Sequence, residues 1–257
     1  MSPLSLLFVG AHPDDIEIGA GDLARAACAA ELDVHVAILT RERDPSSAAR
    51  RSAEAKAALR HLGVAPDRIL EAPFPDGDLR VTSSTVSYLR GALTALGCDP
   101  DVVVTHTRSD SHQDHRAAYD LVLSTFRGKT ILGMPIRYSF LPSDFQPRLI
   151  RPVECEDAKA IAIDRHASQI ACGRIRPDEV SRFDEELGEQ IAPHLSRPVE
   201  AFDVTIQLGA PSLIATLTRL RGLLQPIGAR ASHGIGLAAP AGPDDQVQVL
   251  AAGGAAR

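Results

Sequence analysis

The stretch Leu4-Ser5-Leu6-Leu7-Phe8-Val9-Gly10-Ala11-His12-Pro13-Asp14-Asp15-Ile16-Glu17 decides how the chain is read. Its first half, Leu4 to Val9, is an apolar run of strand length, far below the ~18 to 20 residues of a membrane helix. Without a basic lead or a cleavage site it reads as a first strand rather than a signal peptide. Its second half turns polar at once, and an Ala-rich helical pattern follows from Gly21 to Leu32.

The same alternation continues outward. Val34 to Thr40 reads as a strand, and Ser46 to Leu62 as a helix with Gly63 as its stop. Arg68 to Ala72 is a short strand before the loop Pro-Phe-Pro-Asp-Gly-Asp at residues 73–78. Ser84 to Leu96 is a helix ended by Gly97, Asp101 to Thr105 a strand, and Asp114 to Phe126 another helix. Strands separated by helices of this length demand right-handed crossovers. The fold class expected is α/β, a Rossmann-like layered fold with a mostly parallel central sheet flanked by helices. Farther on, Glu154 to Ala171 reads as helix and Val199 to Leu208 as a returning strand. From Gly209 the composition shifts: Ser212 to Leu224 reads as one more helix, and the rest is rich in Ala, Gly and Pro. A domain over residues 1–208 and a C-terminal appendage over 209–257 are expected.

Of the 257 residues, 44% are hydrophobic and 23% charged, a balance that excludes a disordered chain, a collagen-like fibre or a coiled coil as the main body. The net charge of −6, 4% aromatics and no Trp give no support to a nucleic-acid partner. Cys28, Cys98, Cys155 and Cys172 are far apart and form no Cys-x-x-Cys pair. Reduced thiols in a cytoplasmic protein with no membrane span are the expectation.

Two polar clusters lie just beyond expected strands: His12-Pro13-Asp14-Asp15 and His112-Gln113-Asp114-His115. If both strands are central and parallel, the loops meet on one rim despite ~100 residues between them. Imidazole and carboxylate together suit zinc and related divalent ions. His12 and Asp15 are three apart and fall on one side of a turn, while Asp14 projects elsewhere. His112 and His115 share that spacing. A lone His-Pro or Asp-Asp also reads as a solvated turn, and His106 and His166 as structural histidines.

The run Ala-His-Pro-Asp-Asp-Ile-Glu-Ile-Gly together with His-Gln-Asp-His resembles the PIG-L / LmbE-like family of zinc-dependent N-acetylglucosamine deacetylases. Supporting matches are Arg51, Glu54 and Leu62-Gly63, Pro75-Asp76-Gly77, Val104-Thr105-His106, Lys159 with His166, Ser168 and Gln169, and Glu200-Ala201-Phe202. The resemblance implies zinc held by His12, Asp15 and His115, although iron(II) or cobalt(II) suit the same ligands. It implies Asp14 as general base on water activated by the metal, and His112 as stabiliser of the oxyanion or donor to the leaving amine. Asp114 would hold the ring of His112. Arg51 and Asp76 would hold sugar hydroxyls, with Arg50 and Asp78 as competitors. Asp110 would touch substrate or cap the helix, and Glu17 would support the metal loop. Ile16 and the Gly19-Ala20-Gly21 run depart from the family pattern.

The implied reaction removes an N-acetyl group from an N-acetylglucosamine-type small-molecule amino sugar or its conjugate. Hydrolysis of another amide on a thiol-, lipid- or natural-product-linked sugar is the alternative, and a non-catalytic sugar-binding module a weaker one. A homo-oligomer is compatible with this reading. Residues 233–242, His-Gly-Ile-Gly-Leu-Ala-Ala-Pro-Ala-Gly, resemble the first motif of peptide deformylase. Ala241 stands where the glutamine of that motif belongs, and no His-Glu-x-x-His follows, so a degenerate fragment is expected there.

Overall fold

The computed structural model describes residues 4–140, 145–206, 218–220 and 222–227. In chain order the first half runs β1 (Ser5–Gly10), α1 (Asp15–Ala29), β2 (Asp33–Arg41), α2 (Pro45–His61), β3 (Ile69–Pro75), α3 (Ser83–Ala95), β4 (Val102–His106), α4 (Gln113–Thr125) and β5 (Thr130–Met134). Then come β6 (Leu149–Pro152), α5 (Glu156–Asp164), α6 (Ala167–Ala171), α7 (Pro177–Ile191), β7 (Val199–Ile206) and β8 (Gln225–Pro226). Among the described residues the strands form one sheet in the order β3-β2-β1-β4-β5-β7-β6-β8. The first five pair in parallel and the last three join antiparallel.

The strands are apolar at consecutive positions because both sheet faces are covered. Leu6, Phe8, Val36, Ile38, Val102 and Val104 pack on one face with α1, α2 and α5. Their neighbours in sequence, Leu7, Val9, Leu39 and Val103, pack on the other with α3 and α4. The chain leaves β1 toward β2 and β3, then crosses back to place β4 on the other side of β1. That reversal opens a crevice beyond the carboxyl ends of β1 and β4, the place where open α/β sheets bind their ligands.

Several elements differ from expectation for local reasons. Helix α1 starts at Asp15 rather than Gly21, so the acid-rich turn is itself the first helical turn. It bends at Ala20 (φ −151°, ψ 29°). A Cβ on Gly19 would lie 2.9 Å from Ile136 Cδ1, and one on Gly21 3.2 Å from Lys159 Cγ. A side chain at either position would push on Ile136, Met134 or Lys159, so small residues on both sides of the bend let α1 pack closely there. The segment expected as one helix from Glu154 to Ala171 breaks at Arg165-His166, and Glu54 of α2 accepts from Ser168 N at 2.9 Å and Ser168 Oγ at 2.6 Å. Helix α7, not anticipated, buries Val180, Phe183, Leu187 and Ile191 along one stripe.

Beyond the bend, Glu200 accepts the free N–H groups of Asp22 and Leu23 at 2.8 and 2.9 Å. Lys159 Nζ balances it at 2.9 Å and reaches Asp184 at 2.6 Å, all three side chains being buried. The boundary expected near residue 209 and the run 233–242 lie outside the described residues, as does most of the expected helix 212–224. Leu220, Leu223 and Leu224 pack in the same core as α1, and β8 pairs with β6. All four cysteines are free. No helix among the described residues is long and apolar enough to cross a membrane.

Two outcomes are expected. Lys159→Met leaves Asp184 and Glu200 buried without their cation and lowers stability by about 3–5 kcal/mol in urea denaturation; an unchanged midpoint would contradict this role. Asp203 of β7 lies over the backbone of Gly133 and accepts from Thr107 Oγ1 at 2.5 Å. Burial raises its carboxyl from 3.8 to about 6 against the Thr107 and Gly133 hydrogen bonds. A raised acid favours its protonated form in the folded state, so its contribution is complete below the unfolded pKa and is lost as pH rises through about 6. Asp203→Asn, which never ionises, is therefore more stable than wild type at pH 8 by ~1–3 kcal/mol. The two urea midpoints should converge near pH 4.

Candidate metal centre

The turn after β1 is tied to both neighbouring strands. Ala11 N donates to His106 Nε2 at 2.9 Å, and Ala11 O accepts from Thr40 N at 2.8 Å and Thr40 Oγ1 at 2.7 Å. Asp15 Oδ2 accepts His12 N at 2.6 Å and closes the turn. A Cβ on Gly10 would come within 3.2 Å of Asp15 Cβ and His12 O, so only glycine lets the turn fold back this tightly. Asp15 then sits in the first turn of α1, where the helix dipole favours its charge. On the second loop His112 is the N-cap of α4, and His115 lies one turn in.

The crossing brings His12, Asp15 and His115 together. His12 Nδ1 is 3.1 Å from His115 Nε2 and 3.4 Å from Asp15 Oδ2, and His115 Nε2 is 3.4 Å from Asp15 Oδ1. The far side of each ring faces acceptors. His115 Nδ1 lies 3.0 Å from Asp110 Oδ2, and His12 Nε2 lies 3.3 Å from Asp76 Oδ1 and 3.4 Å from Asp114 Oδ2. A carboxylate only accepts, so those outer nitrogens carry the N–H groups. In neutral rings the inner nitrogens would then be bare, with two lone pairs facing each other beside a carboxylate. Such a donor set fits a divalent cation, with the outer carboxylates fixing ring orientation.

The electrostatics agree. Burial opposes charge on His12, yet Asp15, Asp114 and Asp76 raise it well above the ordinary histidine value. Burial likewise opposes His115, but Asp15 and Asp110 lift it to about 9. The carboxyl of Asp15 is held well below the usual range by His115, His106 and His12, despite burial. In the protein alone, protons supply the positive charge that the inner atoms require.

Several residues take positions other than those expected. The carboxylate of Asp114 does not meet the ring of His112. It accepts from Gly77 N at 2.7 Å and Leu79 N at 3.1 Å and faces His12. The backbone N–H of Asp114 meets His112 Nδ1 instead, at 3.2 Å. This places the proton of the neutral ring on Nε2, and burial together with His115 and His12 lowers the pKa of His112, so the ring is neutral. Asp110 is 1% exposed. Its Oδ1 accepts from His112 N, the backbone of the residue that caps α4, at 2.7 Å, and its Oδ2 faces His115 Nδ1 and Ser139 Oγ.

Arg51 and Asp76 point inward, whereas Arg50 is exposed and Asp78 pairs with Arg80. The Arg51 guanidinium is buried between Asp14 at 3.1 Å, Glu42 at 3.2 Å and Asp76 at 3.7 Å. Glu17 lies 3.3 Å from His166 Nε2, both fully buried. His106, whose role spacing alone leaves open, stacks on His115 with ring centres 3.9 Å apart and lies 3.1 Å from Asp15 Oδ2. Its place at the end of β4 was the signal for it. Glu42 and Ser139 carried no signal, because neither belongs to a cluster.

Comparison with known proteins follows the same residues. A family model described as "PIG-L: GlcNAc-PI de-N-acetylase" matches residues 7–126. A relative from Escherichia coli K12, "Uncharacterized deacetylase YaiS", is 29% identical over 171 residues, covering 63% of this chain and 90% of its own. The N,N'-diacetylchitobiose deacetylase of Pyrococcus horikoshii shares the fold with a TM-score of 0.63 at 21% identity, over 79% of this chain and 84% of its own. GalB of Pseudomonas putida KT2440, a 4-carboxy-2-hydroxymuconate hydratase, does so with a TM-score of 0.65 at 18% identity, over 79% and 96%. One fold thus serves more than one reaction, and chemistry has to be argued from the site. The match to the PIG-L family model spans residues 7–126, and both His/Asp clusters lie within that span.

Proposed function

We propose that the chain is a metal-dependent hydrolase that removes an N-acetyl group from an N-acetylglucosamine-type sugar or conjugate. The observation that carries this reading is the convergence of His12 Nδ1, His115 Nε2 and Asp15 beside an Arg-held Asp14. His12, Asp15 and His115 would hold the ion, with zinc the best match to two imidazoles and a carboxylate. A bound divalent ion would polarise the amide carbonyl and make water acidic near neutral pH.

The chain's own residues supply the rest. Asp14 stands between His12 and Asp15 in the sequence, and its carboxylate is turned to Arg51. Arg51 holds its Oδ2 at 3.1 Å. The carboxylate can take the proton of an attacking water and deliver it to the leaving amine. His112, neutral with its proton on Nε2, offers a hydrogen bond to the oxygen that gains charge, a donor worth most in the transition state. Asp110 fixes His115, and Asp76 with Asp114 fixes His12. The E. coli relative named as a deacetylase and the matching family description support the reaction class.

Acetate release from N-acetylglucosamine and a panel of its conjugates tests the reading. Wild type supplied with zinc should turn over at least one of them. Asp14→Asn should reduce kcat by ~10²–10⁴-fold at unchanged metal content, the usual worth of a positioned base. Full activity in that variant would remove Asp14 from the mechanism. Asp110→Asn should weaken metal retention by ~10–100-fold in chelator competition, as loss of an orienting carboxylate does. Unaltered retention would show that Asp110 serves only the helix terminus.

A further inference from the structure

Beside the centre runs a groove of about 670 Å³, within the ~300–1,000 Å³ range of sites that enclose a sizeable small molecule. Pro13 and Arg51 lie on its wall and join it to Asp14, while Arg41 and Arg43 line it at the carboxyl end of β2. Pro73, Pro75 and small alanines make up much of the remaining surface. Prolines and alanines cannot donate a side-chain hydrogen bond and Thr40 Oγ1 is taken by Ala11 O, so polar recognition in the groove falls to Ser52 and the charged residues.

The acids there are already neutralised. Glu42 accepts from Arg51 at 3.2 Å and lies 3.6 Å from Arg174, and Glu71 pairs with Lys56. The cations are not. Among the described residues Arg41 is exposed and its guanidinium has no ion-pair partner. Arg43 meets only Asp78, at 3.9 Å and with its own side chain 69% exposed. Asp44 is turned away from both, capping α2 through Ser47 N at 2.8 Å. Arg51 Nε is buried without a hydrogen-bond partner on the same wall. An unpaired guanidinium and a second held only at 3.9 Å, in a cleft of this size, suit an oxyanion, which their planar forks bind through paired hydrogen bonds.

We propose that this groove is a subsite for an anionic substituent of the substrate, a phosphate or carboxylate held by Arg41 and Arg43 while the acetamido group lies at the metal centre. The substrate class becomes acidic conjugates of the amino sugar, an assignment that rests on the deacetylase reading above. Nothing in the hydrolysis itself requires the two arginines, so they govern affinity and leave the chemical step alone.

Two measurements separate this inference from that reading. Acetate release is followed for methyl N-acetylglucosaminide, N-acetylglucosamine 1-phosphate and N-acetylglucosamine 6-phosphate with wild type and with the double variant Arg41→Ala/Arg43→Ala. At least one phosphate should be favoured about tenfold or more through KM. The variant should lose that preference while turning over the methyl glycoside unchanged. Calorimetry with glucosamine 1-phosphate, glucosamine 6-phosphate and glucosamine needs no turnover and decides the subsite by itself. A phosphate should bind wild type at least about tenfold more tightly than glucosamine, and the variant should not discriminate. Equal binding of charged and neutral ligands by wild type, or discrimination that survives in the variant, overturns the subsite. No acetate release from any substrate, with calorimetric discrimination intact, overturns the deacetylase reading and leaves the subsite standing.

Discussion

Two imidazole nitrogens that cannot both be bare, His12 Nδ1 and His115 Nε2 at 3.1 Å, are the constraint on which the rest of the structure depends. Each ring has its outer nitrogen committed to carboxylates, so a neutral ring has no proton left for its inner nitrogen. With Asp15 completing the set, lone pairs converge from three side chains. Such an arrangement is repulsive unless a cation occupies its centre, and burial keeps water from screening it. The raised pKa values of His12 and His115 express the same demand with protons. Metal binding would then release protons, which makes affinity pH-dependent.

The sheet exists in a form that creates this demand. β1 and β4 are neighbours in register, Leu6 opposite Val102 and Phe8 opposite Val104, so loops ~100 residues apart begin side by side. Hydrogen bonds from Ala11 to His106 and Thr40 lock the first loop to β4 and β2. Asp114 binds Gly77 and Leu79 and brings in the loop after β3 that carries Asp76. Farther from the cleft, Glu200 and Lys159 stabilise the bend in α1 that begins at the Asp15 turn. A buried polar network of this kind specifies one arrangement more sharply than apolar packing alone.

How much of this the sequence made legible depended on the reach of each signal. The first four strands and their helices could be read because apolar runs and glycine stops are local, whereas β5, Thr130–Met134, went unread. Strand β6 and helix α7 follow a stretch in which Pro and charged residues interrupt the pattern, and α7 went unread despite its Val180-Phe183-Leu187-Ile191 stripe. Spacing grouped His12 with Asp15 and His112 with His115, and the crossing of β1 and β4 joined the two groups. Partner choice was less accessible. Asp114 turns to His12 because the Gly77 and Leu79 N–H groups hold its carboxylate away from His112, and no local pattern encodes that. Asp110, read as a substrate contact or a cap, bonds the backbone of the cap residue His112 with one oxygen and faces His115 with the other.

A fold of this class also supports a hydratase, so the account stands or falls on the centre rather than on the architecture. The most direct measurement is bound divalent metal per chain in purified protein supplied with zinc, by elemental analysis, for wild type, His12→Ala and His115→Ala. One ion per chain in wild type, lost in each variant although the two histidines come from different loops, is the result the account predicts. No bound metal in wild type, or full occupancy after removal of either histidine, would contradict it.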